Sequence, residues 1–518
     1  MSGIVGIVNL DGTPIDRELL SRMTKFMSVR GPDRQAIWVE GDVGFGGSVF
    51  DGDICVTEDA RIDGFEKGDL GDEERIVRAH ERWGEECVEH LLGDFAFAIW
   101  NKRKRRLFCA RDHFGVKPFF YARAGNSFIF SNTLNALRVD ARVSDELNER
   151  AVHDYLELGL NQDLTSTIFR DIRRLPGGHT LVVADGSITT RRYWQPAVKN
   201  EIRFRDSRSY VERFDELLTM AVKDRLRADR VSISMSGGLD STSLAVVARD
   251  LLRVDGGQRD AVKAFSTVYD RLIPDEERRY STLAAERLGI PIQHLSADDY
   301  SLFAGDLNVP EPFLLGPLNG QFHDLLQLMA EHSRVALTGY DGDALMARVV
   351  KPFWTQISRI KAKAISQERD QTITALESKV WAPLLEGYDP GATRLPLEVR
   401  HPFIDVRLVE YVLSIPLKPW CVNKHLLRRA MKDRLPAAIV NRPKTPLAGD
   451  PALQLARRAG VRWLDHFEVT PQLTRFVNLS QRRSRAEETP KELWARLRVF
   501  ALNHWLTHSL PIDRRKVA

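Results

Sequence analysis

Short apolar runs separated by glycine turns dominate roughly the first 190 residues, and a few amphipathic stretches lie between them. The alternation predicts strands at residues 3–10, 43–49, 95–100, 106–110, 119–122 and 128–131. Helical periodicity is present at residues 17–27 and 73–92. Many short strands of this kind are typical of packed antiparallel sheets, so this half is predicted to be an α+β domain with its helices outside the sheets.

The pattern changes after a polar stretch at residues 195–200. Beyond it, predicted helices at 209–227, 242–252 and 276–288 alternate with short apolar strands at 231–235, 264–269 and 335–338. Such alternation predicts a parallel sheet in an α/β domain. We therefore expect one domain over residues 1–195 and a second over residues 205–518.

Length and composition narrow the class of protein. A chain of 518 residues is too long for one typical core, and 43% apolar and 28% charged residues are typical of a globular protein. A net charge of +4 does not indicate a nucleic-acid or membrane partner. The four cysteines are scattered without metal-binding spacing, and the start of the chain lacks the basic region of a signal peptide. We expect a cytoplasmic location.

A glycine-rich hexapeptide lies between a predicted strand and a predicted helix: Ser236, Gly237, Gly238, Leu239, Asp240 and Ser241. Backbone N–H groups at such a turn point outward and the helix dipole favours an anion there. Asp240 adds a carboxylate where Mg²⁺ bridging phosphates could bind. The spacing is not that of the lysine-containing phosphate loop. The hexapeptide resembles the pyrophosphate loop of enzymes that split ATP into AMP and pyrophosphate, although an ordinary capped turn is the alternative.

Together with other motifs, this loop makes the chain similar to the asparagine synthetase family over nearly its whole length. The matching segments are Arg30-Gly31-Pro32-Asp33, residues 93–98 and 111–118 in the first half, and residues 236–241, 337–343, 398–405 and 424–428 in the second. The resemblance implies an Ntn-hydrolase-like αββα sandwich of the class II glutaminase type. It also implies an α/β second domain of the adenine nucleotide alpha hydrolase-like type, which would adenylate a carboxylate.

The first domain departs from that family where glutamine would be hydrolysed. The family's nucleophile is a cysteine after the initiator methionine, whereas this chain has Ser2. The family's Asn-Gly-Glu loop is replaced by Asp59, Ala60 and Arg61, and a carboxylate at an oxyanion site repels the charge that forms there. The arginine that holds the glutamine carboxylate is also missing near residues 46–48. We expect a structural domain without glutaminase activity, with an active Ser2 as the alternative.

The amine would then come from free ammonia or from the substrate itself. β-Lactam synthetases and the macrolactam-forming cyclases of lasso peptides resemble this chain in lacking the cysteine, and a catalytic tyrosine of the β-lactam type falls at Tyr340. Glu386 is the candidate for its carboxylate partner. Cyclisation of a peptide is the leading interpretation. Ammonia-dependent asparagine formation and a non-catalytic binding protein remain the alternatives.

The resemblance also implies the remaining site residues. Lys424 would stabilise the charged oxygens, with a solvated surface charge as its alternative role. Asp240 and Asp343 would hold Mg²⁺, although Asp343 could simply cap a helix. ATP would contact the hexapeptide and four further residues: Phe265, Ser266, Gly339 and Lys444. The implied partners are ATP, a carboxylate substrate that we expect to be a precursor peptide, and a leader-peptide-binding or protease partner.

Two further expectations concern charged positions in the second half of the chain. Arg400 lies in an otherwise apolar segment and is expected to pair with Glu398 or Asp405. Residues 481–498 are rich in charges of both signs and are expected to form a solvated helix.

Overall fold

The computed structural model describes residues 2–510 apart from eleven gaps. These gaps are residues 31–34, 53, 66–69, 255–259, 306–308, 315, 347–365, 444–448, 460–463, 465–466 and 479–488.

Two six-stranded antiparallel sheets form the first half of the chain. The first sheet contains, in spatial order, β10 (Ile172–Arg174), β8 (Phe120–Ala124), β9 (Ser127–Ser131), β1 (Ile4–Asn9), β3 (Val43–Gly47) and β2 (Ala36–Glu40). The second contains β12 (Ser187–Arg192), β11 (His179–Ala184), β7 (Arg106–Arg111), β6 (Leu92–Asn101), β5 (Ile54–Asp63) and β4 (Val49–Asp51). Their inner faces share one core that includes Phe45, Phe130, Trp100 and Leu181.

Helices cover both outer faces of this sandwich. The first sheet packs against α1 (Arg17–Phe26), α3 (Leu134–Leu137) and α4 (Glu149–Leu158), and the second against α2 (Asp72–Trp83). The order helix–sheet–sheet–helix confirms the predicted αββα sandwich. The helix predicted over residues 73–92 is shorter than expected, because Gly84 adopts φ +60° and the chain continues as a 3₁₀ turn to Glu89.

A five-stranded parallel sheet follows residues 193–206, which contain no helix or strand. Its spatial order is β15 (Ile292–Ser296), β14 (Val262–Val268), β13 (Val231–Ser234), β16 (Val335–Thr338) and β17 (Glu398–Arg400). The parallel pairing confirms the predicted α/β class for this half.

Several helices of this half cover the two faces of the sheet. The helices described in this half are α5 (Ser207–Leu226), α6 (Leu239–Val254), α7 (Glu277–Leu288), α8 (Asn319–His332), α9 (Gly342–Met346), α10 (Ser366–Leu376), α11 (Trp381–Gly387), α12 (Pro390–Thr393), α13 (Val406–Ser414), α14 (Leu417–Trp420), α15 (His425–Met431), α16 (Ala437–Val440), α17 (Pro451–Arg458) and α18 (Pro490–His508). The largest core joins the sheet to α5, α6, α7, α13 and α15, and a smaller core joins it to α8 on the other side.

Helix α18 packs on the N-terminal sandwich. Leu493, Leu497, Ala501 and Trp505 recur every four residues and are buried in the same cluster as α1, α3 and α4. The expectation of a solvated helix over residues 481–498 is wrong for the part described, because this apolar stripe needs a partner surface. The last helix therefore ties the second half of the chain to the first.

Within the described part of the chain, no helix has both the length and the apolar character needed to cross a bilayer. All four cysteines are buried free thiols.

Two buried histidines predict a loss of stability in mild acid. Burial lowers the pKa of His113 and of His401 to about 4, against an ordinary value near 6.5. The unfolded chain therefore takes up protons as the pH falls through about 6.5, whereas the folded chain does not until about pH 4. The free energy of unfolding should fall over this window, by up to about 3 kcal/mol for each histidine.

Urea unfolding at several pH values between 7 and 5 checks this expectation. A His401→Asn variant should show a shallower pH dependence than the wild type, whereas a variant at the exposed His153 should follow the wild type. Parallel curves for wild type and His401→Asn would contradict the assignment of a buried neutral imidazole.

Candidate active site

The glycine-rich loop joins the end of β13 to the start of α6. Helix α6 begins at Leu239, so the N–H groups of its first turn face the loop. Gly237 has φ +69°, and a Cβ at this position would lie 2.6 Å from the backbone nitrogen of Ser281. The Ser241 hydroxyl accepts a hydrogen bond from the Ser236 backbone N–H at 3.3 Å. This is a closely packed turn with N–H groups at a helix start, which is the arrangement that binds phosphate oxygens.

A second loop, after β16, packs directly on the first. A Cβ on Gly339 would lie 2.6 Å from the Ser241 backbone nitrogen, and one on Gly342 would lie 2.6 Å from Cγ of Asp240. Both positions therefore require glycine for close approach. Because β13 and β16 are parallel neighbours, their carboxyl ends place both loops at one edge of the sheet, where open α/β sheets bind ligands.

Lys424 brings a positive charge between the two loops. Its Nζ lies 2.6 Å from Asp343 Oδ1 and also pairs with Asp240. The backbone N–H of Lys424 donates to the Met346 carbonyl at 3.2 Å, which fixes the start of α15 against α9. Burial disfavours the ammonium, but the two carboxylates outweigh this effect and raise the pKa of Lys424 above its ordinary value. The side chain is thus a buried, charged group and not a solvated one.

The same carboxylates fit a magnesium ion. Asp240 and Asp343 both place an oxygen against one ammonium group, so they already converge on a single cation. Mg²⁺ binds one or two carboxylates and completes its shell with water and phosphate oxygens. Among the residues that the structure describes, no group of three or more His, Cys, Asp or Glu side chains is arranged as a metal cage. The carboxylates of Asp240 and Asp343 therefore suit a metal ion that binds together with the phosphates of a nucleotide.

The predicted nucleotide contacts lie on several different elements of the second half of the chain. Phe265 and Ser266 are buried on β14, the strand adjacent to β13. Arg442, two residues before the predicted contact Lys444, stacks over the Tyr280 ring at 4.0 Å and pairs with Glu277 at 3.1 Å; Tyr280 and Glu277 belong to α7, which packs against Gly237. Lys444 lies outside the described residues.

Tyr340 is exposed, but its neighbour is not the one we expected. Its side chain is 43% exposed, and its ring centroid lies 5.6 Å from that of Tyr388. Glu386 instead accepts hydrogen bonds from Arg174 Nε at 2.8 Å and Arg111 Nη2 at 3.1 Å. The predicted pairing of Glu386 with Tyr340 is therefore corrected. Side chains two residues apart on a short helix point to different sides, so Tyr388 faces Tyr340 while Glu386 faces the N-terminal domain.

Sequence reasoning missed Asp341. Its carboxyl group is buried, and neither oxygen has a hydrogen-bond partner among the described residues. Burial raises the pKa of this group to about 8. Asp341 also has φ +75°, a conformation that favours glycine. No single sequence pattern would reveal this, because burial and backbone conformation at that point depend on packing between distant segments.

The region around Ser2 in the first domain contains a compact group of charges. The Ser2 backbone N–H donates to Asp59 Oδ1 at 3.2 Å. Asp59 is also paired with Arg30 at 2.7 Å and with Lys117 at 3.1 Å. Burial alone would raise the pKa of Asp59, but Lys117 and Arg30 lower it below the ordinary value, so the group is an anion at neutral pH.

This charge group continues into the second half of the chain. Lys117 Nζ also lies 2.9 Å from Glu398 on β17, and Glu398 pairs with Arg400 at 2.9 Å. Our expectation that Arg400 pairs with Glu398 or Asp405 is resolved in favour of Glu398. The place where glutamine chemistry would occur is thus joined by buried ion pairs to the parallel sheet.

Comparison with known proteins agrees with this two-part arrangement. A glutamine amidotransferase domain model matches residues 62–194, and an asparagine synthase model matches residues 213–384 and 361–507. The chain is similar to asparagine synthetase [glutamine-hydrolyzing] 3 of Bacillus subtilis, at 26% identity over 86% of each chain. It is also similar to asparagine synthetase [glutamine-hydrolyzing] 2 of that organism, at 24% identity over 86% of this chain and 71% of the relative.

Among solved structures, a glutamine phosphoribosylpyrophosphate amidotransferase from B. subtilis matches 56% of this chain and 65% of its own, at 13% identity and a TM-score of 0.27. That likeness is too distant to bear on the site. The asparagine synthase model, in contrast, covers more than half of the chain and includes both loops and Lys424. The resemblance inferred from the motifs is therefore confirmed: this chain belongs to the asparagine synthase family of ATP-dependent carbon–nitrogen ligases.

Proposed function

We propose that this protein activates a carboxylate with ATP and joins it to an amine of the same molecule, with a peptide macrolactam or a β-lactam-type ring as the product. The observation that carries this proposal is the Asp59 charge group. An anionic, ion-paired Asp59 lies beside Ser2, where glutamine hydrolysis would need donors for an oxyanion. The amine must then come from outside the first domain.

The first chemical step is adenylation. An oxygen of the substrate carboxylate attacks the α-phosphorus of ATP, and pyrophosphate leaves. The N–H groups at the start of α6 bind the departing pyrophosphate. Asp240 and Asp343 would hold Mg²⁺, which when bound neutralises charge on the phosphate oxygens. Lys424, already charged and buried between them, stabilises negative charge as it shifts to the leaving group.

The second step forms the amide. The lone pair of the neutral amine nitrogen attacks the acyl carbon, the bond between that carbon and the AMP oxygen breaks, AMP leaves with the electron pair, and the nitrogen releases one proton to solvent. Tyr340 lies exposed two residues before α9, the helix that contains Asp343, so in this proposal it borders the space where the acyl group would form. This position supports the cyclase interpretation, in which a tyrosine contacts the attacking amine.

Asparagine formation from aspartate and ammonia is the second candidate. The names of the Bacillus relatives favour it, since both are called asparagine synthetases. A non-catalytic binding protein is disfavoured, because Lys424, Asp240 and Asp343 are assembled as a charged centre.

Exchange of labelled pyrophosphate into ATP distinguishes these candidates. Exchange that depends on a short peptide encoded beside this gene, and not on aspartate, would support the cyclase. Exchange that depends on aspartate would support asparagine formation. Absence of exchange with any acid, with Asp240→Ala behaving as the wild type, would overturn adenylation as the function.

Lys424→Met should abolish most of the exchange, because it removes the ammonium group that pairs with both carboxylates. We expect a loss of at least about 10²-fold, typical of removing a group that stabilises transition-state charge. Lys432→Met, seven residues after the start of α15 and exposed, is the matched control and should exchange as the wild type. Equal activity in both variants would contradict the role of Lys424.

The first domain should release no glutamate from glutamine. Ser2→Cys alone should not create glutaminase activity, because the anionic Asp59 still opposes an oxyanion. The double variant Ser2→Cys, Asp59→Asn removes that charge and introduces an amide donor. Any glutaminase activity should therefore appear only in the double variant. Steady glutamate release by the wild type, abolished in Ser2→Ala, would contradict the proposal.

A further inference from the structure

Three arginines of the first half of the chain bind one short segment of the second half. Arg174 donates to both carboxylate oxygens of Glu386, from Nε at 2.8 Å and from Nη2 at 3.0 Å. Arg111 Nη2 adds a third hydrogen bond to Glu386 at 3.1 Å. Three residues further along the chain, Arg30 pairs with Asp389. All five side chains are buried, and exclusion of water strengthens such pairs.

The arginines are themselves fixed within the first half. Arg111 also donates to the Lys117 carbonyl at 2.7 Å. Arg30 also pairs with Asp59 at 2.7 Å and donates to the Thr133 hydroxyl at 2.9 Å. A planar guanidinium that has several acceptors in fixed directions cannot easily follow a partner that moves. The first half of the chain therefore determines where the two bound carboxylates lie.

Tyr388 lies between these two carboxylates in the chain and contacts the proposed catalytic tyrosine. Its side chain is buried, and its ring centroid lies 5.6 Å from that of Tyr340. The rings of Phe322 and His401 also contact Tyr388, with centroids at 5.0 and 5.7 Å. Tyr340, in contrast, is exposed. The buried Tyr388 ring is thus a fixed surface on which the exposed Tyr340 ring packs.

This contact matters because a catalytic group must be held at a set position. A displacement of about 1 Å can cost about 10²-fold in rate. Tyr340 lies between β16 and α9, outside any helix or strand, so side-chain packing has to limit its movement. Tyr388 supplies such packing, and the arginines of the first half fix the chain on both sides of Tyr388.

We propose that the first domain positions Tyr340 for the amide-forming step, through the arginine-bound segment that presents Tyr388. The inference rests on the proposed function, since it concerns the second step of that reaction. Glu386, Asp389 and Tyr388 are positioning residues in this proposal, because they act on Tyr340 and not on the substrate. The first domain thereby contributes to the reaction without hydrolysing glutamine.

The test follows the ¹⁹F resonance of Tyr340 in the full chain labelled with 3-fluorotyrosine. Tyr340→Phe identifies this resonance among those of the ten tyrosines. Glu386→Gln and Asp389→Asn each remove one arginine-bound charge, and each should move the Tyr340 resonance by more than its line width. Asp94→Asn is the matched control and should leave the resonance in place. Asp94 is also buried at the domain boundary and pairs with Arg225 of the second half at 3.4 Å.

The two chemical steps give a second readout. With the acid that supports pyrophosphate exchange by the wild type, Glu386→Gln should exchange at the wild-type rate but form the amide about 10²-fold more slowly. Asp94→Asn should carry out both steps as the wild type does. A merely structural role of Glu386 would instead reduce exchange and amide formation equally.

That equal reduction, or an unmoved Tyr340 resonance in both Glu386→Gln and Asp389→Asn, would overturn the inference. Absence of exchange by the wild type with any acid would refute the proposed function. A wild type that exchanges, together with variants in which the Tyr340 resonance does not move, refutes only the positioning role of the first domain.

Discussion

The ion pairs of Lys424 with Asp240 and Asp343 hold three separate parts of the second domain together. Asp240 follows β13, Asp343 follows β16, and Lys424 precedes α15, so one ammonium group fixes the relative positions of two sheet loops and a distant helix. Charges buried to this extent require good geometry to repay their desolvation. The arrangement that gives this stability is the same one that would hold the phosphates and a magnesium ion.

In the first domain, the charge group around Asp59 lies against the second half of the chain. The charge of Asp59 is balanced by Arg30 and Lys117. Lys117 in turn reaches Glu398 on the parallel sheet. Further along the same boundary, Arg174 pairs with Glu386 at 2.8 Å and with Glu311 at 2.5 Å. Removing one member of such a group typically costs about 3–5 kcal/mol, so these ion pairs are expected to contribute to the stability of the contact between the two halves of the chain.

The sequence was sufficient to predict the two fold classes and the members of the charged centre. Apolar periodicity specifies strands and helices locally, and the positions of the motifs assign Asp240, Asp343 and Lys424 to one site. The prediction that Glu386 is the partner of Tyr340 was wrong. The direction of the Glu386 side chain depends on the rotation of a short helix about its axis, which apolar periodicity does not determine. Asp341 was missed for a related reason: burial without a partner is a property of packing, not of spacing. The apolar stripe of α18 likewise does not reveal which surface the helix packs against.

Adenylation of the substrate requires an oxygen atom to pass from the acid to AMP. The acid that supports exchange is prepared with ¹⁸O in its carboxyl group, and the nucleotide product is examined by mass spectrometry after a single turnover. We expect AMP that contains one ¹⁸O atom, because the carboxylate oxygen forms the bond to the α-phosphorus. Unlabelled AMP, or ADP as the product, would contradict it.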